Sequence, residues 1–366
     1  MKKVLICGGH FTPALALIEE LEKNKNIEIV FIGRKYSVEG VNKTSVEYKE
    51  IKRKGIKFLT LTTGRLQRKF TTRTIPSLLK IPFGFFQSFL YLLVVRPNLV
   101  MSFGSYVSTP VVVSAWLLAI PVLTHEQSSI PGLANRINAI FGKTVFVAWP
   151  ASTKYFKVNK EVKVVGNLIR KSVYKTDAQS PQIKKFLKDH KNIIYITGGN
   201  LGSHIINNHI FAALPLTGFS VIHQVGSINY KQDLETAKGI KAQNYLPLDY
   251  ISEGDIGAVL NAAQIVIARA GANTVWELAS LAKPSILVPL PIAGANEQAE
   301  NAKILESAGS AVIIHQKDLT PAKLKEELHA VSINLEKYKK AARNFKKTLP
   351  ADPTNLVLSE ALKYLK

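Results

Sequence analysis

Short apolar runs alternate with longer stretches of helical periodicity along most of the chain. Lys3–Ile6 reads as a strand and precedes a helical pattern over Ala14–Lys23. Glu28–Ile32 and Lys57–Leu61 are further strands; Leu99–Ser102 leads to a helix over Val111–Leu118 and then to strand Val122–Thr124. Val145–Ala148 and Val162–Val165 continue the pattern. Near-continuous apolar runs of this length mark strands covered on both faces, as in a parallel sheet with helices on either side. The pattern restarts after Val165-Gly166-Asn167, with strands at Asn192–Thr197, Ser220–Gln224, Gln243–Tyr245, Gln264–Ala268 and Ser285–Val288. The spacing predicts an α/β protein of two Rossmann-like, doubly wound parallel-sheet domains, residues 1–165 and 166–351. A last helix, roughly Thr354–Leu365, follows the break at Pro350 and Pro353, and the segment 352–366 is expected to pack back on the first domain.

The composition narrows the setting. The 366 residues are 46% hydrophobic and only 20% charged, which suits two globular cores and excludes disorder. Cys7 is the single cysteine, so no intramolecular disulfide forms and a reducing compartment is compatible. The opening run to Gly8-Gly9 is too short for a signal peptide and reads as a first strand. A net charge of +22 attracts polyanions: nucleic acid, anionic lipid or phosphorylated substrates. No zinc-finger spacing or aromatic RNA-binding signature is present, so no nucleic-acid partner is expected and an anionic membrane surface is the better candidate.

Two segments are apolar enough to need a decision. Tyr106–Thr124 is divided by Pro110 and Pro121 into a buried helix and a strand. Ser77–Val95 carries Lys80 and Pro82 and falls short of a span on this reading. Basic and large apolar residues interleave from Arg65-Leu66-Gln67-Arg68-Lys69-Phe70 to Phe83-Gly84-Phe85-Phe86, which suits insertion into an anionic leaflet, with Trp116 as a further contact. A core helix with a solvated basic loop is the alternative.

Ligands of doubly wound sheets sit at the carboxyl ends of the strands, so polar and glycine-rich residues there matter most. Gly8-Gly9-His10 follows the first strand; His10 reads either as a general base or anion contact, or as a solvent-facing histidine. Gly104 and Tyr106 follow another strand, and Tyr106 either meets a ligand or packs internally. His125-Glu126-Gln127-Ser128 places four polar residues after a buried strand, which is costly unless they face a site, and Asn135 lies about two helical turns on. Their spacing does not suit zinc, and no metal is expected. The loop Gly198-Gly199-Asn200-Leu201-Gly202-Ser203 is built to cradle a diphosphate at a helix start, or is a tight strand-to-helix turn. It lacks the lysine of a phosphate-binding P-loop, and no acid stands where a dinucleotide fingerprint needs one. Arg269-Ala270-Gly271-Ala272-Asn273-Thr274 opens another helix whose free N–H groups favour anions, while Glu277, one turn on, would repel phosphate and suits sugar hydroxyls instead. Asn296, Glu297, Gln298 and Asn301 after a Pro/Gly loop add polar groups for a sugar. Together these point to a nucleotide sugar.

In this order the motifs resemble the MurG family, glycosyltransferase family 28. The matching set is Phe103-Gly104-Ser105-Tyr106-Val107-Ser108-x-Pro110, His125-Glu126-Gln127, Val165-Gly166-Asn167-x-x-Arg170, Gly198-Gly199-x-x-Gly202, Arg269-x-Gly271-Ala272-x-Thr274-x-x-Glu277 and Gln298-x-x-Asn301-Ala302. The resemblance implies a GT-B fold with the two domains facing a central cleft, at the cytoplasmic face of the cell membrane as a peripheral protein. It implies inverting transfer of GlcNAc from UDP-GlcNAc to the C4 hydroxyl of the muramoyl sugar of lipid I, giving lipid II in peptidoglycan synthesis, with no cofactor. Arg170, the 198–203 loop with Gly199, Asn200 and Gly202, and Thr274 would serve the donor diphosphate. Leu246 would meet the uracil through its backbone, Glu277 the ribose, and Glu297 and Gln298 the GlcNAc. Arg269, Gly271 and Ala272 complete the donor set. Gly8, Gly9, Gly104, Tyr106, His125, Gln127, Ser128 and Asn135 would take the acceptor.

The chain also departs from the family. The usual Gly-Gly-Thr-Gly-Gly-His of the first loop is shortened by three residues to Gly8-Gly9-His10, Ser128 replaces an Asn, Asn200 a Ser, Leu201 a Gln and Gln264 an acid. The shortening bears on the acceptor diphosphate. Inverting transfer needs a base for the acceptor proton, for which His10 is first choice and Glu126 second, and stabilisation of departing UDP, which N–H groups and Arg170 can supply. Rival readings are a transferase acting on another glycolipid such as diacylglycerol, a nucleotide-sugar-binding protein without turnover, and, less favoured, an enzyme like UDP-GlcNAc 2-epimerase.

Overall fold

The structure, a computed structural model, describes residues 1–38, 41–64, 74–156, 160–291 and 296–365. The chain divides into two compact units, Met1–Arg170 with Pro350–Lys366, and Lys171–Leu349.

The first unit runs β1 (Lys2–Cys7), α1 (Phe11–Leu21), β2 (Ile27–Gly33), a small hairpin of β3 (Tyr36–Val38) and β4 (Val41–Thr44), α2 (Val46–Arg53) and β5 (Lys57–Thr60). It continues with α3 (Thr74–Val95), β6 (Leu99–Ser102), α4 (Ser108–Leu117), β7 (Val122–Glu126), α5 (Leu133–Phe141), β8 (Thr144–Val147) and β9 (Glu161–Val164). Seven strands form one sheet in the order β5-β2-β1-β6-β7-β8-β9, with every neighbouring pair parallel. The alternation of strand side chains builds two cores. Val4 and Ile6 point to one face with Phe31, Met101, Leu17 and Ile18; Leu5 and Cys7 point to the other with Val30, Val100, Val111 and Leu92. Cys7 is fully buried, and burial pushes its thiol up to about 12, which leaves it an inert core residue.

The second unit contains α6 (Pro181–Asp189), β10 (Ile193–Thr197), α7 (His204–Ala213), β11 (Ser220–Gln224), α8 (Asp233–Gly239), β12 (Tyr245–Leu248), α9 (Ile256–Ala262) and β13 (Ala263–Ala268). Then come α10 (Ala272–Ser280), β14 (Ser285–Leu287), α11 (Glu297–Ser307), β15 (Ala311–Ile313), α12 (Pro321–Ile333) and α13 (Leu335–Lys346). The strand order β12-β11-β10-β13-β14-β15 is again all parallel. Ile194, Ile196, Ile265, Ile267 and Ile286 fill its core with Ile206, Ile210, Leu324 and Leu328.

The final helix, α14 (Pro353–Leu362), belongs to the first unit. Asp352 caps it by accepting from the Asn355 N–H, and Val357 and Ala361 enter the same core as Leu17 and Ile18. Lys163 on β9 pairs with Glu360 at 2.7 Å.

Three features differ from the reading of the sequence. The β3–β4 hairpin and β15 are too short to stand out by periodicity. The apolar segment at 77–95 is longer than that reading allowed: α3 runs unbroken through Pro82, and Ile75–Val95 is long and apolar enough to cross a membrane by length and composition. It instead packs along α4 and sends Leu92 and Val95 into the core. The basic segment 65–70 lies outside the described residues.

Candidate active site

In the first unit, register brings four strand exits side by side. Cys7 pairs with Ile32 and with Ser102, and Ser102 pairs with Thr124. The loops that follow β1, β2, β6 and β7 therefore start from adjacent carboxyl ends.

The loops after β1 and β6 clasp each other. The Phe103 N–H donates to Cys7 O at 2.8 Å and the Gly9 N–H to Gly104 O at 3.1 Å. Gly8 has φ +137, and a Cβ there would stand 2.8 Å from the Phe103 carbonyl carbon, so only glycine allows the approach. His10 is the N-cap residue of α1 and is partly exposed. Burial and, secondarily, the Arg34 charge push its pKa down to about 4, so the imidazole is neutral at pH 7 and can accept a proton. The Arg34 guanidinium lies 5.7 Å from the centroid of the Tyr106 ring, and Tyr106 is partly exposed.

The third loop is interior. His125, Glu126, Gln127, Ser128 and Asn135 are each no more than 3% exposed. Both Glu126 oxygens are engaged: Oε1 accepts from the Ser128 N–H at 2.8 Å, and Oε2 from Asn135 Nδ2 at 2.8 Å and the Gly132 N–H at 3.2 Å. Asn135 Nδ2 also donates to His125 O at 3.2 Å, and its amide fills the space beside Gly104 that a Cβ would need. His125 Nε2 meets Gly166 O at 2.9 Å, so that nitrogen carries the proton, and burial pushes the ring's pKa down to about 4. His125 Nδ1 and Gln127 Oε1 are buried with no hydrogen-bond partner among the described residues. The cost of four polar residues after β7 is thus met largely inside the protein. In this conformation the five side chains are buried, and Glu126 and Asn135 are engaged in shaping the loops. Asn138, which the sequence reading passed over, does similar service through Ser102 Oγ and Ser108 Oγ.

In the second unit Thr197 pairs with Ala268 and with Gln224, and Ala268 with Leu287. The glycine loop leaves at Thr197, whose Oγ1 accepts from the Gly199 N–H at 2.9 Å. Gly199 has φ +89 with open space where a Cβ would lie, while Gly202, at φ +88, is packed against Val225 O. The first keeps a ligand-facing surface low; the second lets two loops touch. The Asn200 carbonyl accepts from the Ser227 N–H at 3.0 Å.

Gly271 caps α10 in an extended conformation, and no acid occupies the helix's first turn. Asn273, Thr274 and Glu277 are partly exposed while Ala272, Val275, Trp276 and Leu278 are buried, so one polar stripe leads away from the helix start. Leu246 is buried on β12. Gln298, in the first turn of α11, is partly exposed; its Oε1 accepts from the Leu290 N–H at 2.9 Å, and Glu297 precedes it. Residues 292–295 of that loop lie outside the described residues. Asn301 is fully buried with Nδ2 3.5 Å from Ala270 O, an internal brace where a sugar contact was expected.

Arg269 holds these pieces together. Nη2 donates to Ser203 Oγ and to Gln316 Oε1, both at 2.7 Å, and Nη1 to Val288 O at 3.0 Å. Its hydrogen-bond acceptors are neutral oxygens, and although burial pushes its pKa down to about 10 it remains a cation at pH 7. Arg170, the remaining expected donor contact, ends the longer segment of the first unit, Met1–Arg170.

Sequence comparison extends this picture over the whole chain. Residues 7–147 match the glycosyltransferase family 28 N-terminal domain and residues 193–352 its C-terminal domain. The UDP-N-acetylglucosamine--N-acetylmuramyl-(pentapeptide) pyrophosphoryl-undecaprenol N-acetylglucosamine transferase of Clostridium tetani is 34% identical over 94% of this chain and 93% of its own. The protein of the same name from Clostridium kluyveri is 32% identical over the full length of both. The crystal structure of Acinetobacter baumannii MurG superposes with a TM-score of 0.71 at 25% identity, covering 99% of this chain and 100% of that one. A UDP complex of S. aureus MnaA has the same TM-score at 13% identity, covering 100% and 97%, a likeness of fold alone.

Proposed function

The chain belongs to glycosyltransferase family 28, and on that premise we propose how its residues divide the work of hexosyl transfer. It is a UDP-GlcNAc-dependent transferase of the GT-B fold that places GlcNAc on lipid I to give lipid II. The observation that carries this reading is full-length similarity to transferases of that name, joined to a second unit whose glycine loop and α10 start are locked together by Arg269.

The second unit takes the donor. Gly199, Asn200, Gly202, Gly271, Ala272 and Thr274 receive the diphosphate on N–H groups at two helix starts, with Arg170 as a further cation. Leu246 takes the uracil edge through its backbone, Glu277 the ribose hydroxyls, and Glu297 and Gln298 the GlcNAc. Arg269 holds the loops and adds its charge to their field without lying on the ligand.

The first unit takes the acceptor on Gly8, Gly9, Gly104 and Tyr106, with His125, Gln127, Ser128 and Asn135 behind them. In the transfer, the acceptor C4 oxygen bonds to the anomeric carbon as the bond from that carbon to the UDP oxygen breaks, which inverts the centre. The hydroxyl proton goes to His10, which is neutral and partly exposed. Glu126 lies in the protein interior with both oxygens engaged, so His10 is the better base.

The exposed apolar face of α3 supports attachment to a membrane, proposed here as its cytoplasmic face. Ile75, Leu79, Phe83, Phe86, Leu90 and Val94 recur at helical spacing on its exposed side, with Leu79 73%, Phe86 63% and Val94 77% exposed. Trp116 and Leu117 of the adjoining α4 add to this apolar surface, and the net charge of +22 favours an anionic leaflet.

UDP release from UDP-GlcNAc, measured with and without a short-chain lipid I analogue and with diacylglycerol as rival acceptor, tests the function. Release should require the lipid I analogue. Release without it, preference for diacylglycerol, or UDP-GlcNAc binding with no release would overturn the reading.

A further inference from the structure

We infer that Arg34 is the cationic contact for the acceptor's diphosphate, beside a first loop too short to offer many N–H groups and with that of Gly9 committed elsewhere. The inference rests on the acceptor assignment above and goes beyond it by naming a residue outside the glycine loops.

The connection from β1 to α1 is only Gly8-Gly9-His10. Of its amides, Gly9 N–H is already donated to Gly104 O. The helix it enters offers less than most: its third residue is Pro13, which has no N–H. A diphosphate arriving here therefore meets few free backbone donors, and His10 beside it is neutral. Its charge must be met by a side chain.

Arg34 is the residue in position. It follows directly on β2, whose register with β1 sets Ile32 against Cys7, so Gly33 and Arg34 continue alongside Gly8 and Gly9. The guanidinium is partly exposed and rests over the Tyr106 ring. Its carboxylate neighbour is Glu47, but Nη2 to Glu47 Oε1 is 3.8 Å, too long for a hydrogen bond. Arg34 Nε is buried and has no hydrogen-bond partner among the described residues. A guanidinium beside an aromatic ring, with no hydrogen bond to Glu47, suits a pair of phosphate oxygens. The neighbouring cation, Lys35, is turned to Tyr36 and Tyr48, with Nζ 5.4 Å and 5.8 Å from their ring centroids.

Kinetics of Arg34→Gln and Arg34→Lys test this. Arg34→Gln should raise KM for the lipid I analogue about tenfold or more while KM for UDP-GlcNAc stays within about twofold, and Arg34→Lys should recover part of the loss. A second readout needs no lipid I: calorimetric titration of the UDP-saturated protein with geranyl diphosphate. Wild type should bind, and Arg34→Gln should bind about tenfold more weakly, with an unchanged melting profile as the check on folding. Equal affinity, absent wild-type binding, or a matching rise in donor KM would overturn the role of Arg34. Wild-type binding of geranyl diphosphate lost in Arg34→Gln, without turnover on lipid I, would support Arg34 and sink the acceptor assignment instead.

Discussion

Arg269 Nη2 donates to Ser203 Oγ at 2.7 Å, tying the residue after β13 to the last residue of the glycine loop after β10. The same guanidinium reaches Gln316 and the carbonyls of Val288 and Pro289, so one side chain sets the spacing of four chain segments. Arg269→Ala strands those acceptors, each at a cost of about 1–3 kcal/mol. The expected result is a UDP Kd raised about tenfold or more and a lower melting midpoint for the second unit. Arg269→Lys should recover little, because an ammonium cannot hold the fork. Unchanged UDP affinity in a folded Arg269→Ala protein would remove the bracing role.

Glu126 offers a contrast between a base and an anchor. Its oxygens accept from two backbone N–H groups and the Asn135 amide, so Glu126→Gln turns one acceptor into a donor facing a donor. As an anchor, Glu126→Gln lowers the melting midpoint of the first unit, by about 2–4 °C per kcal/mol for a unit of this size, and loses acceptor binding. As a base, it would keep stability and acceptor KM and lose only kcat. The second pattern would reverse the assignment.

These two residues show what was legible in the chain. The strands of both sheets follow from apolar runs, and every glycine loop lies at a strand exit, because a parallel sheet forces it there. What did not follow was direction. A run such as His125–Ser128 looks identical whether its polar groups face a ligand or one another, and only the Asn135 and Ser128 contacts decide it. Asn301 fails in the same way. Arg34 was missed although it carries the same signal as the other loops, a polar residue straight after a strand, since it lacks the double glycine that marks them. The β3–β4 hairpin and β15 are held by pairing with neighbours, which short segments do not advertise.

The second unit should be acid-sensitive through His223. The ring is fully buried; its Nε2 meets Asn207 Oδ1 at 3.1 Å and its Nδ1 the Tyr245 hydroxyl at 2.9 Å. Since Asn207 Oδ1 only accepts, Nε2 carries the proton and Nδ1 accepts from Tyr245. Burial pushes the pKa down to about 3 from the ordinary 6.5. The unfolded chain therefore binds a proton that the folded one refuses, and stability falls as pH drops below about 6.5, by on the order of 1 kcal/mol per pH unit. Melting curves between pH 7 and 4 should show this slope, and His223→Gln should flatten it. An equal slope in the variant would place the acid sensitivity elsewhere.

The exposed stripe of α3 is expected to carry membrane attachment. Leu79→Glu with Phe86→Glu replaces two outward residues that are 73% and 63% exposed, so the fold should be spared. Co-sedimentation with anionic vesicles should fall several-fold, and wild-type binding should weaken with salt as the Debye length shortens. Binding that ignores both the substitutions and lipid charge would refute the attachment.

The same cation that is to hold the acceptor also sets the pH behaviour of the base. In the free protein, burial first and Arg34 second hold His10 near pKa 4, so kcat/KM should keep its full value well below neutrality and show an acidic limb near that pKa. Removing the charge with Arg34→Gln lets the pKa rise, and the limb should move to higher pH. A diphosphate bound at Arg34 has the same sense: it offsets the cation, raises the basicity of His10, and readies it as the acceptor arrives. His10→Ala should lose turnover on the order of 10²–10⁴-fold and its acidic limb, with UDP binding retained. An acidic limb that stays in place in Arg34→Gln would uncouple the pair, and a His10→Ala protein with near-normal turnover would move the base elsewhere.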